Sequence, residues 1–487
     1  MKGWKAVTSA TLEASQQEME RIMQEVDLLR NDSDSESEPS PVPCSSQTSD
    51  EWFVFSIKMH LRDVAPRGHP RSSPLSLVSC CTGAFAEAVC LEALGIPFTA
   101  VGASECSQTA QKIIMANHPP THLHDNFRDQ IEHETCRLHG PSQQKCGMQQ
   151  SDLCVCGSPC PPFSTFRSKR FLEGSVRQHG QTDTTMLDAR DMLLHGQHKA
   201  FILEQVPGFD QAETSRDSSE SPMRRFLNMI QTELKVAKKP GYHAVVLRAS
   251  HQDWVQLMRD RIRKKLRCRE QRGQGQPDLD TRKQHLLRSL RIYIVFLRKD
   301  VYGVADAGFL AKTYKDLIAK QRQVAPKKLG DVLPERALED IPPGGVQRSI
   351  FEDSDLASRR WKVDSKAFRS SLGVSENYKE EVVPGVDVRA VMDGKFIDVS
   401  QGVKRGTHTN KSGFVRTFTT STVLYDFSRD CVLTGYEMLL LHGFPRDFVI
   451  PPEIPETEVR KVAGEGMSIP SLAAVIWCLY LTRQFPE

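Results

Sequence analysis

From residue 74 onward, apolar and polar positions follow two alternating periods. The runs "PLSLVS" and "PFTAVGASE" are short and apolar, as in buried strands, and "AFAEAVCLEALG" between them has helical spacing that ends at Gly95. Strand, helix and strand in this order form a βαβ unit, in which the two strands run parallel. The pattern therefore predicts that a parallel sheet begins at residue 74.

Four later segments have the same strand character: "DLCVC", "AFILEQV", "YHAVVLRAS" and "RIYIVFLRK". Polar or helical stretches such as "RRFLNMIQTELKVA" separate them. This alternation predicts an α/β fold with a doubly wound, mostly parallel sheet. Regular structure returns at "LTGYEMLLLHGFP" and in the closing run "LAAVIWCLYL", which is too short for a membrane span and is typical of a core helix. We expect no membrane partner.

The regular pattern is interrupted on both sides of this region. Residues 10–30 have helical spacing and run into "NDSDSESEPSPVP", an acidic, serine-rich stretch that predicts a flexible linker with serines open to phosphorylation as an alternative role. Residues 301–428 gain glycine, proline and charge, which predicts an inserted, separately folded region. The chain therefore divides into the segments 1–70, 71–300, 301–428 and 429–487.

Composition limits the class of protein and its partners. The 487 residues are 39% hydrophobic, which is enough for two or three domains with a sizeable core. A formal net charge of +3 means that affinity for a polyanion would come from local patches such as "RDRIRKKLRCREQRGQGQ". That segment suits phosphate contacts, a nuclear localisation signal or a solvated helical face. Thirteen irregularly spaced cysteines favour reduced thiols in an intracellular protein.

Gly83 and Glu105 stand at the ends of the first two predicted strands. Gly83 precedes a helix, and Glu105 lies 22 residues later. A loop that lets the backbone approach a ligand, with a carboxylate at this distance, is the usual layout of an adenosine cofactor site. The loop "SCCTGAF" has one glycine, which favours a cofactor without phosphates. A simple turn and an exposed strand end are the alternative for this pair.

Cys160 and Glu204 follow the next two strands. In "DLCVCGSPCPPFSTFR" the apolar run stops at Gly157, so Cys160 is predicted on a loop at the sheet edge where ligands bind. Glu204 ends the strand in "FILEQVPGF", so a thiol and a carboxylate can face one pocket. Packing of the thiol and capping by the carboxylate are the alternatives.

Cys154 and Cys156 precede this loop and invite a zinc interpretation together with Cys160. Their spacing lacks a Cys-x-x-Cys pair, and positions two apart on a strand point the same way, here into packing. The sequence therefore predicts no metal site.

These segments together resemble the DNA (cytosine-5) methyltransferase family. "GSPCPPFS" is similar to the family's Pro-Cys nucleophile loop, "LEQVPGF" to its Glu-Asn-Val motif, and "LSLVSCCTGAFAEA" to its first cofactor motif. "LTGYEMLLLHGFP" and "AGEGMSIPSLAAVI" are similar to its last two motifs, so five motifs occur in the family's order. The resemblance makes 71–300 the catalytic domain, 301–428 the target-recognition region and 429–487 a return to the catalytic domain.

The resemblance implies an S-adenosylmethionine-dependent methyltransferase fold and methyl transfer to carbon 5 of cytosine in DNA. Cys160 would add covalently to carbon 6 of a flipped base, Glu204 would assist at ring nitrogen 3, and Arg291 would help to hold the cytosine. The residues that would bind S-adenosyl-L-methionine are Gly83, Glu105, Asp125, Pro159 and Ser468. Asp129 lies near Asp125, and the alternative is that both are solvated loop carboxylates. It also implies double-stranded DNA as the partner, a nuclear location and a role in epigenetic regulation.

The sequence departs from the family's pattern beside these groups. The Gln after the nucleophile is Pro161, the Asn of the glutamate motif is Gln205, and the final Gly-Asn is Gly464-Glu465. The Gln-x-Arg-x-Arg motif is not intact, so Arg291 competes with an upstream set made of Gln256, Arg259 and Arg261. These changes affect residues that would position the nucleophile, whereas Cys160 itself is retained.

Two other functions stay open at this level. One is the same reaction on a structured RNA such as tRNA. The other is a non-catalytic member that binds nucleic acid and recruits a protein partner through its amino-terminal helix. In either case "GTHTNKSGFVRTFTTSTVLYDF", with Thr419 and Thr420, is expected to line the nucleic-acid cleft.

Overall fold

The computed structural model describes residues 52–132, 136–139, 146, 148–165, 167, 169–213, 220–250, 253–256, 290–324, 327–328, 396–398, 418–426 and 431–486. The predicted amino-terminal helix, the acidic linker, the basic segment and most of 301–428 lie outside these residues. Our predictions about those segments stay predictions.

Within the described residues, a seven-stranded sheet has the order β3-β2-β1-β4-β5-β8-β6. Its strands are β1 (Leu75–Cys80), β2 (Phe98–Ser104), β3 (Leu123–His124), β4 (Leu153–Cys156), β5 (Ala200–Gln205), β6 (Tyr242–Ser250) and β8 (Leu290–Arg298). Two smaller sheets contain β7 (Val255–Gln256) with β9 (Lys327–Lys328), and β10 (Phe396–Asp398) with β11 (Leu424–Asp426) and β12 (Cys431–Val432). The pairs from β3 to β5 are parallel, and β8 is antiparallel to both β5 and β6. The predicted doubly wound, mostly parallel sheet is confirmed. Its strand order reverses between β1 and β4, and ligands bind beyond the carboxyl ends of the strands at such a point.

Helices cover both faces of the sheet. They are α1 (Trp52–His60), α2 (Ala86–Leu94), α3 (Gln108–Asn117), α4 (Phe127–Glu132), α5 (Ala189–Gly196), α6 (Pro222–Val236), α7 (Val304–Gln321), α8 (Gly435–Leu441), α9 (Glu456–Glu465) and α10 (Ile469–Arg483). Helix α2 ends at Gly95, whose φ of 71° is the left-handed conformation that glycine adopts without strain. The predicted end of this helix is therefore confirmed.

The central strands β1, β4, β5 and β8 are buried on both faces, so each of them contributes to two hydrophobic cores. Leu153 and Val155 of β4 point into one core together with α2, α7 and α10, whereas Cys154 and Cys156 point into the other with α5 and α6. All four side chains are 0% exposed. The predicted packing role of the two cysteines follows from this alternation.

Two helices outside the predicted 71–300 domain also pack on this sheet. Leu310 and Leu317 of α7, which lies within 301–428, are buried in the same core as α10, and so are Phe53 and Ile57 of α1. The predicted domain boundaries remain a prediction, but residues 52–60 and 304–321 share the core of the sheet.

Helix α10 is the core helix that the sequence predicted, with Leu472 and Ile476 fully buried. Among the helices of the described residues, none alone is long and apolar enough to cross a membrane. Helices α9 and α10 reach that length and composition only as a pair bent by 42°.

Candidate active site

Cys160 lies on the loop that follows β4, beside the carboxyl end of β5. Its sulfur is 4.0 Å from Oε2 of Glu204 and 3.9 Å from the carbonyl oxygen of Ser158. Because β4 and β5 are parallel neighbours, both residues emerge at the same edge of the sheet. The structure thus brings the predicted thiol and carboxylate together.

Arg291 reaches the same place from β8. This strand is antiparallel to β5, so the beginning of β8 lies beside the end of β5. Nε of Arg291 is 2.7 Å from Oε1 of Glu204, and the two side chains are 22% and 5% exposed. Of the competing arginines, Arg259 and Arg261 lie outside the described residues. Because its guanidinium contacts Glu204, Arg291 is the arginine that we assign to this cluster.

The protonation of the cluster follows from burial and from the pair of charges. Burial, and then the negative charge of Glu204, raise the pKa of the Cys160 thiol to about 12, so the resting thiol is protonated at neutral pH. Burial also raises the pKa of Glu204, although the charge of Arg291 opposes this effect. A nucleophilic role for Cys160 would therefore require the loss of this proton when a substrate binds.

Gln205 holds the nucleophile loop from below. Its Nε2 donates to the hydroxyl of Ser158 at 2.8 Å and to the carbonyl oxygens of Ser158 and Pro159, each at 3.1 Å. The side chain is 0% exposed. The sequence marked Gln205 only as a departure from the family's Asn, whereas its amide supplies the donors that position the loop. The predicted cofactor residue Pro159 is held through this contact.

Arg170 supports the other side of the loop. Its guanidinium is fully buried and donates to the carbonyl oxygens of Phe163, Gly208 and Gln211 at 3.3, 2.6 and 2.9 Å. A Cβ at Gly208 would overlap the carbonyl oxygen of Phe163, so the turn after β5 requires glycine to approach this closely. Sequence reasoning missed Arg170, because nothing nearby distinguishes it from its polar neighbours.

The cofactor side of the site is formed by the loop after β1 and the end of β2. Gly83 has a φ of 56°, and its N–H donates to Oε2 of Glu105 at 2.7 Å. The N–H of Ser107 donates to Oε1 of Glu105 at 2.8 Å. The backbone thus orients this carboxylate, and each oxygen keeps a lone pair for a ligand hydroxyl. A Cβ built on Gly83 meets nothing within 4 Å, so there is open space above the loop. These groups fit the ribose of an adenosine cofactor.

Asp125 and Asp129 are distinguished by their positions. Asp125 follows β3 at the same sheet edge as Glu105, and its Oδ1 lies 2.6 Å from Nε of Arg137 and accepts from Nε2 of Gln111 at 3.2 Å. Asp129 is in α4, where its carboxylate accepts from the side chain of Asn126 at 2.7 Å. The structure favours Asp125 as the residue nearer the cofactor side.

The carboxyl-terminal motif packs against these strand ends. Ser468 precedes α10, and its hydroxyl donates to Ser471 Oγ at 3.1 Å. A Cβ at Gly464 would overlap the carbonyl oxygen of Thr419, so this glycine lets the segment with Thr419 and Thr420 approach the motif. Whether these threonines line a nucleic-acid cleft stays a prediction.

Glu465, another departure from the family's pattern, interacts electrostatically with Glu105 and with Cys160. Burial, and then the charge of Glu105, raise the pKa of Glu465, and its own charge in turn raises the pKa of Cys160. The charge of Glu465 is thus coupled both to Glu105 and to Cys160.

Comparisons with known proteins agree with the family resemblance found in the sequence. Residues 75–263 match the family model of the C-5 cytosine-specific DNA methylases. A 42-residue segment is 57% identical to the type II methyltransferase M.NgoBI of Neisseria gonorrhoeae, and it spans 9% of this chain and 13% of that protein.

Solved structures similar to the chain include two methyltransferases. They are the Dnmt2 methyltransferase of S. pombe (TM-score 0.40, 13% identity, 83% of this chain and 98% of that chain) and EhMeth of Entamoeba histolytica (TM-score 0.42, 13% identity, 84% and 98%). The match of residues 75–263 to the C-5 cytosine-specific DNA methylase model agrees with the resemblance that the five motifs carry.

Proposed function

We propose that this protein is an enzyme that transfers a methyl group from S-adenosylmethionine to carbon 5 of cytosine in DNA. The observation that carries the proposal is the convergence of Cys160, Glu204 and Arg291 on one point, with the sulfur 4.0 Å and the guanidinium 2.7 Å from the same carboxylate. The family match of residues 75–263 supports the reaction type.

In this mechanism the thiol of Cys160 gives its proton to the carboxylate of Glu204, 4.0 Å away, and the sulfur bonds to carbon 6 of the ring. The attack pushes negative charge into the ring, and Glu204 in its protonated form donates to ring nitrogen 3. The raised pKa of Glu204 favours that form. Arg291 holds the carboxyl group in place. Carbon 5, made electron-rich by this addition, takes the methyl group. A base from the solvent then removes the proton from carbon 5, the electron pair left behind breaks the bond between carbon 6 and sulfur, and the thiolate that leaves regains a proton.

S-adenosylmethionine supplies the methyl group when it is bound. Glu105 would accept hydrogen bonds from the ribose hydroxyls, the backbone at Gly83 would approach the methionine end, and Asp125 would hold the adenine. Pro159 and Ser468 would line the same pocket. Since the sulfur must approach the face of the ring, and neighbouring bases cover both faces in a duplex, a cytosine in double-stranded DNA would have to be flipped out to reach Cys160.

Double-stranded DNA as the substrate, nuclear residence and a role in epigenetic regulation are parts of the same proposal. The assay uses the full chain, methyl-labelled S-adenosylmethionine, duplex DNA and tRNA. We expect label at carbon 5 of cytosine in DNA, lost in Cys160→Ala. The buried Cys478 lies far along α10 from its amino end, so Cys478→Ala is a matched control that keeps the label.

Label in tRNA alone would replace the DNA proposal by the RNA alternative. Binding of duplex DNA without any label in either substrate would favour the non-catalytic alternative.

A further inference from the structure

Four potential metal ligands converge away from Cys160, on the edge of the sheet beside β3. They are His122, Cys136, His139 and Cys146, and their ligand atoms all lie within 4.8 Å of one another. Nδ1 of His139 is 3.3 Å from the sulfur of Cys136 and 3.2 Å from that of Cys146, and Nδ1 of His122 is 3.9 Å from the sulfur of Cys136. Two thiols and two imidazoles thus surround one point.

These spacings are those of a tetrahedral zinc site. Zn–S and Zn–N bonds of about 2.3 and 2.05 Å at a tetrahedral angle put sulfur and nitrogen about 3.6 Å apart. The three measured separations, 3.2, 3.3 and 3.9 Å, bracket that value. Thiolate and imidazole together suit zinc better than the hard cations magnesium or calcium, which take oxygen ligands.

The backbone brings three of the four residues together. His122 directly precedes β3, and an isolated bridge pairs His124 of that strand with Cys136. The N–H of Arg137 donates to the carbonyl oxygen of Leu123 at 2.8 Å, and the N–H of His139 donates to that of Cys136 at 3.3 Å. Their arrangement therefore follows from the sheet edge and the turn that extends it.

The environment also suits metal ligation. Cys136 is 8% exposed, and the other three side chains are half-buried.

We propose that His122, Cys136, His139 and Cys146 bind one Zn²⁺ ion as a structural site, contrary to our expectation from the sequence that the chain has no metal site. Four protein ligands complete a tetrahedral shell and leave no position for a substrate, so the site is structural. Binding releases the two thiol protons. The ion ties β3 to the segment that leads to β4.

Side-chain contacts also connect the zinc site to Asp125 and Glu105. The functional meaning of this connection rests on the proposed function, in which those two residues bind S-adenosylmethionine. Arg137 lies between two of the ligands in the chain and forms the 2.6 Å pair with Asp125. It also donates to Gln111, whose own amide donates to Asp125 and to the carbonyl oxygen of Glu105. Loss of the ion should therefore loosen Asp125 and weaken the binding of S-adenosylmethionine.

The first test measures metal content, which does not depend on activity. The full chain, purified without chelators, is expected to carry zinc, and Cys146→Ser and His139→Ala should each lower the zinc content by one equivalent per chain. Cys106→Ser is the matched control, because Cys106 is an exposed thiol outside the cluster, and it should keep the ion. Wild-type protein without zinc, or equal zinc in Cys146→Ser, would overturn the proposal.

A second measurement remains decisive if the variants do not fold. Wild-type protein loaded with Co²⁺ should show the strong visible absorption of tetrahedral thiolate-bound cobalt, and Cys146→His, which replaces one ligand by another, should keep a tetrahedral spectrum with a weaker sulfur contribution. Octahedral cobalt in the wild type, or a Cys136–Cys146 disulfide in freshly purified protein, would show that the four residues do not hold a metal.

Discussion

Arg291 and Glu204 form an ion pair in which the carboxylate is buried and the guanidinium is partly exposed, with 2.7 Å between Nε and Oε1, whereas Cys160 lies beside the other oxygen. The other carboxylate oxygen, Oε2, is 4.0 Å from the sulfur of Cys160. One oxygen of the Glu204 carboxylate therefore contacts the guanidinium of Arg291, and the other faces the thiol of Cys160. The protonation of Cys160 and that of Glu204 must depend on each other, because each charge acts on the other group.

Glu204→Gln should make Cys160 more acidic. The charge of Glu204 raises the pKa of the thiol, and its removal leaves the positive Arg291 to act alone, so the pKa falls. The rate of alkylation of Cys160 in the protein can be measured across alkaline pH by mass spectrometry of the peptide that contains it. In the variant the pH profile of this rate should shift to lower pH, and the rate should be roughly tenfold higher at a pH below the wild-type midpoint. Glu465→Gln is the matched comparison and should shift the profile less, in the same direction. A shift to higher pH in Glu204→Gln would contradict the arrangement.

Arg291→Gln should lower both stability and activity. It leaves the Glu204 carboxylate buried without its cation, which costs about 3 kcal/mol of unfolding free energy. Chemical denaturation measures this loss. The double variant Arg291→Gln/Glu204→Gln removes the unpaired charge, so it should recover most of the stability and none of the methyl transfer. Equal stability of the single and double variants would show that the unpaired charge of Glu204 does not cause the loss of unfolding free energy.

Gln205→Asn, which restores the family's residue, should impair this protein. The shorter amide cannot reach the carbonyl oxygens of Ser158 and Pro159, now 3.1 Å from Nε2, and leaves acceptors of the loop unpaired. We expect kcat to fall about tenfold while the KM for S-adenosylmethionine changes little, because the loop carries the nucleophile. An unchanged kcat would mean that the loop is positioned by other contacts, such as those of Arg170.

Glu87→Gln should stabilise the protein in neutral and alkaline solution. The side chain of Glu87 is fully buried, and burial raises its pKa from 4.5 to about 7. A carboxyl whose pKa is raised on folding contributes stability below its unfolded pKa, and that contribution is lost as the pH rises towards the folded value. The glutamine variant has no such loss. Thermal or urea unfolding should show it to be as stable as the wild type near pH 4.5 and more stable, by up to roughly 3 kcal/mol, above pH 7. A less stable variant at high pH would indicate that ionised Glu87 has a stabilising partner.

Periodicity in the sequence predicted the strands that carry the site, since β1, β2, β4, β5 and β8 are long enough to show it. Once those strands were ordered in one sheet, Cys160, Glu204 and Glu105 had to share an edge. Strand β3 has two residues, too few for alternation with a period of two to be visible. The proposed zinc ligands are brought together by this strand, so their proximity could not be predicted. Helix α7 was not separated from the irregular region that follows it, although Leu310 and Leu317 pack in the core.

Buried polar side chains were the hardest to predict. Arg170 is an ordinary arginine in a polar stretch until three carbonyl oxygens converge on it, and that convergence comes from the meeting of two distant turns. Gln205 was visible as a substitution, but its amide gains its role from the path of the loop above it. Such roles depend on tertiary contacts that no local pattern encodes.

The most direct test of the account is covalent capture of the substrate. Fluorine at carbon 5 cannot be removed as a proton is, so a duplex with 5-fluorocytosine and S-adenosylmethionine should trap the enzyme on the DNA. Peptide mass spectrometry should find the pyrimidine attached to Cys160, with no adduct in Cys160→Ala and a normal one in Cys478→Ala. An adduct at another cysteine, or none with methyl transfer intact, would contradict the assignment of Cys160 as the nucleophile.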